Sequence, residues 1–390
     1  MYLKQKKVEM KKLQIMLIAL TLLSFNAFSQ KDTTKIKKVF VPSGKVWGYV
    51  FGDFADKLHT NSFNMSNTQY ASTPKDFTSF EFRRIYLGYD YDLSEHFSSQ
   101  FLLAYEGQTT SDGSRSVFIK AANLRWKNIF KNSDLVMGQM PTSTFATISE
   151  PIWGYRSLEK TSMDMRKIGG SNDVGVSLQG KFNDKGDYGY NLMIGDGSGA
   201  KPETDKFKKK YADIWAKFMD QKITLDFGGD NEIAQTTPYK KSKTTIKGFA
   251  AYQTPQFTIG LEVFSQLQKN NTVLTQPVPS TVKDTVNAAA SGLSIFAKGV
   301  INSKVGWVLR YDHYNPDNKF NANDVYASSY SGSFTEDFIL AGLDFQPIKT
   351  VHIMPNIWYD GYNNRYAAVN KLSKSSYDLA ARVTVYYVFK

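Results

Sequence analysis

The chain has 390 residues, of which 42% are hydrophobic, and its formal net charge is +12 at pH 7. The absence of Cys excludes disulfides, thiolate metal sites, cysteine nucleophiles and a lipid-modified cysteine. The four His lie in four separate segments, so no two-His metal motif exists, and we expect neither a metal nor another cofactor. The 27 Phe and 23 Tyr favour β structure, because aromatic side chains suit half-buried pleated surfaces.

The N-terminal 29 residues predict a secretory signal peptide. Basic residues precede an apolar run from Leu13 to Phe25, and Ala27-Phe28-Ser29 then offers small residues for cleavage before Gln30. The alternative, a single transmembrane anchor, needs a longer apolar run. Because residues 1–29 carry five Lys and one Glu, their removal lowers the net charge from +12 to +8. Residues 30–44 are then a short periplasmic segment.

From residue 45 onwards, apolar side chains recur at every second position. Leu87 lies on one face of the second predicted strand and Arg84 on the other, while Trp47, Tyr49 and Phe51 form the apolar face of the first. In a membrane barrel the apolar face contacts lipid and the polar face lines the lumen, whereas in a soluble sandwich it would meet a second sheet. The connections decide between these two folds.

Long polar connections alternate with short turns along the whole chain. The long ones are 57–78, 107–115, 141–172, 195–208, 229–243, 268–288, 313–336 and 361–376. Short turns lie between them, for example at Asp220-Gln221 and Gln346-Pro347. This asymmetry is typical of a transmembrane antiparallel β-barrel of the outer-membrane type. Residues 45–390 predict about sixteen strands, or about fourteen or eighteen if one hairpin is miscounted, and a barrel of about sixteen encloses an aqueous channel. Pro355 falls inside segment 349–361 and predicts a bulge or a shifted boundary there.

The connection 141–172 is the strongest candidate for a functional loop. Loops of this length are usually functional or disordered, and this one is too aromatic for a disordered linker. We expect it to fold into the lumen and form a constriction, the alternative being an exposed cap. Its candidate constriction residues are Tyr155, Arg156, Glu159, Arg166 and Lys167.

The predicted inner wall carries charges of both signs. Its cations are Arg84, Lys217, Lys298, Arg310 and Arg382, and its carboxylates are Glu106, Asp213, Glu262, Asp312, Asp344, Asp360 and Asp378. A mixed wall predicts weak ion selectivity, although each charge could instead brace the wall by pairing. Two exterior clusters could attract anions, bind lipid phosphates or simply be solvated: Lys206, Lys208, Lys209 and Lys210 form one, and Lys240, Lys241 and Lys243 form the other. Gly195–Gly199 could form an anion-binding nest, or a flexible loop.

The C-terminal segment has the clearest alternation in the chain. Val383, Val385, Tyr387 and Phe389 share one face, and Arg382 lies on the other. We expect the first group to contact lipid and Arg382 to face the lumen, so that Val383→Arg impairs assembly and Arg382→Ala does not. A terminal strand ending in an aromatic residue resembles that of known outer-membrane barrels, with Lys390 as a small departure.

Four short motifs resemble the phosphate-selective porin O and P family: Phe82-Arg83-Arg84-Ile85-Tyr86-Leu87-Gly88, Gly138-Gln139-Met140-Pro141, Arg166, and Asn172-Asp173-Val174-Gly175-Val176. The resemblance implies sixteen-stranded trimers, a third loop folded inward and basic residues along an anion path. It implies lumen or constriction roles for Arg84, Arg156 and Arg166. The mixed wall departs from this pattern, and phosphate specificity is not predicted.

Taken together, these features predict an outer-membrane porin of a Gram-negative bacterium, without catalytic residues, that passes small hydrophilic solutes or inorganic anions with weak anion preference. The expected partners are outer-membrane lipid, lipopolysaccharide and two further copies in a homotrimer, and nucleic acid is not expected. The alternatives are a receptor or adhesin acting through the exterior loops, and a lipase-like enzyme with a Ser-His pair.

Overall fold

The computed structural model describes residues 40–63, 65, 68–71, 73–235, 240–274, 284–324, 326, 331–366 and 375–390. The predicted signal peptide, residues 1–29, lies outside this part of the chain. Residues 42–390 form one compact unit. No helix within the described residues has the length and apolar character needed to cross a membrane.

The described residues contain sixteen strands and two short helices. The strands are β1 (Ser43–His59), β2 (Thr78–Asp92), β3 (Phe97–Tyr105), β4 (Phe118–Phe130), β5 (Ser133–Pro141), β6 (Asn172–Lys181), β7 (Tyr188–Gly195), β8 (Lys209–Phe218), β9 (Ile223–Gln235), β10 (Lys241–Gln253), β11 (Phe257–Leu274), β12 (Asp284–Asn302), β13 (Val305–Asn315), β14 (Phe334–Ile348), β15 (Val351–Asn364) and β16 (Ser375–Phe389). The helices α1 (Ser149–Trp153) and α2 (Ser162–Met165) lie between β5 and β6, and a 3-10 turn (Ser331–Ser333) precedes β14.

Each strand pairs antiparallel with its successor, and β16 pairs with β1, so the sheet closes into a barrel without a free edge. The predicted fold class and the predicted number of strands are confirmed. Several predicted loops are too long, because β9 to β12 extend far into 229–243 and 268–288. Beyond the apolar belt a strand needs no apolar face, so the alternation in the sequence ends before the strand does.

The outer surface of the barrel is apolar. On β16, Val383 and Phe389 are 39% and 42% exposed, whereas Arg382 and Thr384 are buried inside, as the alternation predicts. Strand β1 has the opposite facing from the prediction: its apolar set Trp47, Tyr49 and Phe51 points into the lumen. Both faces of this strand carry apolar residues, so periodicity alone does not determine which of them meets lipid.

Two β-bulges turn basic residues inward. The β1–β2 register shifts at Phe51, which leaves Arg83 as the extra residue and buries both Arg83 and Arg84. The β3–β4 register shifts at Leu102, and Lys120 is the extra residue there. A bulge re-aims side chains that strict alternation would direct outward. The two extra residues, Arg83 and Lys120, therefore line the lumen.

The two prolines near the β14–β15 turn differ from the prediction. Pro347 lies within β14, so the turn is at Lys349 and Thr350 rather than at Gln346-Pro347. Pro355 keeps its register with Val383 of β16, and the register shift of the β14–β15 pair lies between Phe345 and Ile348 instead of at Pro355. On the β14 side the paired positions skip Pro355, because proline has no N–H to donate.

Candidate functional site

The connection between β5 and β6, residues 142–171, lies inside the barrel and is called the inner loop here. Buried backbone carbonyls of such a loop need hydrogen-bond donors, and side chains of the barrel wall supply them. Lys298 Nζ donates to the Trp153 carbonyl (3.0 Å), and Arg382 Nη2 donates to the Leu158 carbonyl (2.8 Å). The wall residues Arg83 and Arg310 donate in the same way to the carbonyls of Ser157 and Lys160.

Apolar contacts fix the inner loop against one half of the wall. Trp153 and Leu158 are almost fully buried in a cluster that includes Phe296 and Leu340, and the rings of Trp153 and Phe296 are 5.1 Å apart. Gly154 caps the C-terminal end of helix α1, and its φ of 67° is a left-handed conformation that favours glycine. A Cβ at Gly154 would lie 2.8 Å from Lys298 Nζ. The inner loop thus occupies the β10–β16 side of the lumen.

The predicted constriction cations Arg156 and Arg166 are both paired with carboxylates. Arg166 has a fully buried side chain that binds Asp312 (2.5 Å) and Glu336. Arg156 binds Asp164 (2.7 Å) and Glu150. Neither arginine is the open cation that the sequence suggested, because their charges are compensated within hydrogen-bonding distance.

The wall arginines of the prediction are paired as well. Arg310 binds Asp312 at 2.6 Å, and Arg382 lies 3.8 Å from Asp53. Lys298 forms no ion pair with the described residues; its ammonium group donates to the Trp153 carbonyl and lies over the Tyr155 ring, both in the inner loop. These residues therefore hold the inner loop in place.

The remaining predicted residues of the inner loop have different surroundings. The Tyr155 hydroxyl donates to Asp344 (3.1 Å). Glu159 is buried, and its carboxylate accepts a hydrogen bond from the Lys160 amide (3.0 Å). Lys167 is exposed and has a left-handed backbone, with φ at 56°. The structure therefore does not bring these three side chains together at one point of the lumen.

Two charged groups of three residues lie inside the barrel, one on the wall near β2 to β4 and one on the inner loop. On the wall, Glu106 binds Lys120 (2.6 Å) and lies 3.9 Å from Arg84. On the inner loop, Arg156 binds Glu150 and Asp164. The six side chains are largely buried, with between 9% and 21% of their surface exposed. We call these six residues the eyelet: Arg84, Glu106, Lys120, Glu150, Arg156 and Asp164.

The two halves of the eyelet interact electrostatically. Burial by itself raises the pKa of Glu106, but Lys120, Arg84 and Arg156 together hold it at about 2. Burial raises the pKa of Glu150, and Arg156 offsets only part of this shift. Sequence reasoning did not identify Lys120 or Glu150 as lumen residues. The bulge that turns Lys120 inward leaves only an irregular alternation in segment 115–126 as a signal.

Other candidate anion sites are occupied by the protein itself. The amides of Gly197 and Gly199 donate to the carboxylate of Asp173 (2.8 and 3.2 Å), so the predicted nest holds an internal anion. In the adjacent lysine cluster, Lys209 is buried and paired with Asp230, and Lys208 is paired with Glu203. The described residues contain no grouping of three His, Asp or Glu side chains that could hold a metal ion.

Comparisons with known proteins identify the fold. No family model and no curated protein matches the chain. Among solved structures, it is similar to the outer membrane channel DcaP of Acinetobacter baumannii, with a TM-score of 0.63 and 12% identity over 89% of this chain and 97% of that one. It is also similar to OmpF of Salmonella typhi in complex with daunomycin (TM-score 0.56, 12% identity, 89% and 97%) and to OmpT of Vibrio cholerae (TM-score 0.54, 11% identity, 91% and 100%).

These comparisons do not identify the phosphate-selective porin O and P family, so that resemblance stays a prediction. The similar solved structures and the described strands of this chain share the closed antiparallel β-barrel fold. The chain has the fold of the outer-membrane porins.

Proposed function

We propose that the protein is a passive diffusion channel for small hydrophilic solutes and ions in the outer membrane of a Gram-negative bacterium. The observation that carries this proposal is the inner loop, which packs against one half of the lumen and faces the other half with a charged eyelet. A sixteen-stranded barrel has room for an aqueous path beside such a loop. The apolar outer surface suits lipid, and many charged side chains lie inside the barrel beside the apolar clusters that hold the inner loop.

The eyelet predicts weak ion selectivity at neutral pH. Its three cations, Arg84, Lys120 and Arg156, face three carboxylates, Glu106, Glu150 and Asp164. Rings of one charge sign set ion preference, and a balanced ring gives little of it. Because the pKa of Glu150 is raised, acidification neutralises this carboxylate early and leaves an excess positive charge. The predicted weak anion preference is therefore expected to emerge below neutral pH.

We further infer that the protein is secreted through its signal peptide, contacts outer-membrane lipid and lipopolysaccharide, and assembles as a homotrimer. OmpT of Vibrio cholerae, which shares the fold, is described in a trimer form. We infer no enzymatic role, because none of the four His lies in a distinctive motif beside a Ser.

Deletion of residues 150–165 from the inner loop tests the proposal. The deletion removes half of the eyelet, so single-channel conductance should rise in planar bilayers. A deletion of 200–206, in the exposed connection between β7 and β8, is the control and should leave conductance unchanged. Equal conductance for both deletions would show that the inner loop does not narrow the path.

A further inference from the structure

Aromatic rings form a continuous band across four strands of the inner wall. Tyr86 of β2 lies 4.6 Å from Tyr49 of β1, measured between ring centroids. Tyr49 lies 5.9 Å from Tyr386 of β16, and Tyr386 lies 5.1 Å from His352 of β15. These four residues are called the aromatic band. Only Tyr86 is fully buried, and the other three rings are half-buried.

The aromatic band connects the eyelet with the short-turn end of the barrel. At one end, the Tyr86 hydroxyl contacts the Glu106 carboxylate of the eyelet. At the other end, Tyr386 and His352 line a cavity of about 290 Å³, together with the turn residues 254–256 and Tyr155 of the inner loop. Barrel strands tilt by about 35–45°, so a band that runs across them also advances along the channel axis.

The polar groups beside the band are balanced in charge and in hydrogen-bonding character. In the cavity, Asp344 accepts hydrogen bonds from Tyr155 (3.1 Å) and Gln346 (2.9 Å), and His352 Nδ1 lies 2.9 Å from it. Lys298 supplies donors on the same cavity wall. At the eyelet, three carboxylates are paired with three cations. A net-neutral lining does not attract one sign of ion over the other. A solute hydroxyl group, by contrast, can donate hydrogen bonds to such a lining and accept hydrogen bonds from it.

We propose that the aromatic band binds a neutral saccharide on its way through the channel. The face of a pyranose ring is lined by C–H groups, which fit against the negative face of an aromatic ring. Its hydroxyls would then meet the balanced donors and acceptors on either side. This inference rests on the proposed channel function and names its solute class.

Maltotriose titrated against the ion current of the purified channel in a planar bilayer tests the inference. The sugar should interrupt the current in a saturable way. Tyr49→Leu and Tyr386→Leu keep bulk but remove the ring face, and each should weaken the block by about 2–10-fold, the contribution of one aromatic contact. Tyr387→Leu is the matched control, because Tyr387 is the next residue along β16 and faces outward, 42% exposed.

The outcomes separate this inference from the channel function. Ion conductance without any maltotriose block would overturn the saccharide site and leave the channel function intact. An equal block by a polyethylene glycol of the same size, or an equal effect of Tyr386→Leu and Tyr387→Leu, would also overturn it. A folded protein without any conductance would refute the channel function itself.

Discussion

Replacement of Arg166 by Met should loosen the inner loop without changing ion selectivity. The Arg166 side chain is fully buried between Asp312 and Glu336, and removal of one partner from a buried ion pair costs about 3–5 kcal/mol. Asp312 keeps Arg310 at 2.6 Å, so part of the charge balance survives the replacement and the cost should lie at the lower end of this range. We therefore expect the docked position of the inner loop to be destabilised by about 3 kcal/mol, which shifts its docking equilibrium by roughly 100-fold.

Single-channel recording measures the consequence. Conductance and current noise should both rise in Arg166→Met, while the reversal potential in a salt gradient stays where it is, because Arg166 has no exposed surface. Lys167→Met, at the exposed neighbouring residue, is the control and should leave the noise unchanged. A displaced reversal potential with normal conductance in Arg166→Met would refute the reasoning, since Arg166 would then act as a lumen cation.

Four further predictions concern the eyelet and the wall. Lowering the pH from neutral should move the reversal potential towards anion preference, because the raised pKa of Glu150 lets this carboxylate protonate early. The Glu150→Gln variant should already prefer anions at neutral pH, and its reversal potential should respond less to acid. Lys120→Gln leaves the eyelet with one excess carboxylate and should move the reversal potential towards cations, and an unchanged potential would remove Lys120 from the path. Val383→Arg should reduce the yield of heat-modifiable barrel, since a charge on the lipid face costs about 2–4 kcal/mol. Arg382→Ala should assemble yet conduct with more noise, because Arg382 holds the Leu158 carbonyl; a quiet wild-type current in this variant would contradict that anchoring role.

The barrel class and the lipid-facing residues of β16 could be predicted from the sequence, because period-two alternation with one strongly apolar face leaves a single solution. Strand β1 could not be oriented in this way. Its Trp47, Tyr49 and Phe51 are apolar yet line the lumen, and Gly88 leaves room for the Trp47 ring beside it. Because the lumen holds its own loop by ring contacts, an apolar side chain does not have to face lipid.

Sequence reasoning placed Arg84, Glu106 and Arg156 of the eyelet inside the barrel, but it missed Lys120 and the ion pairs of the inner loop for two physical reasons. Arg83 and Lys120 enter the lumen through bulges, and a single extra residue in a ladder depends on pairing that the sequence does not display. The partners of Arg156 and Arg166 come from the inner loop itself and from β13 and β14. Because of these ion pairs, Arg156 and Arg166 hold the inner loop in place instead of being the free cations that the sequence predicts.

The central claim is a water-filled path past a charge-balanced eyelet, and single-channel recording of the wild-type protein in a potassium chloride gradient tests it most directly. We predict discrete conductance steps and, at neutral pH, a reversal potential close to zero, because three cations offset three carboxylates at the constriction. A folded barrel that gives no conductance steps, or a channel that strongly prefers one ion at neutral pH, would contradict the claim.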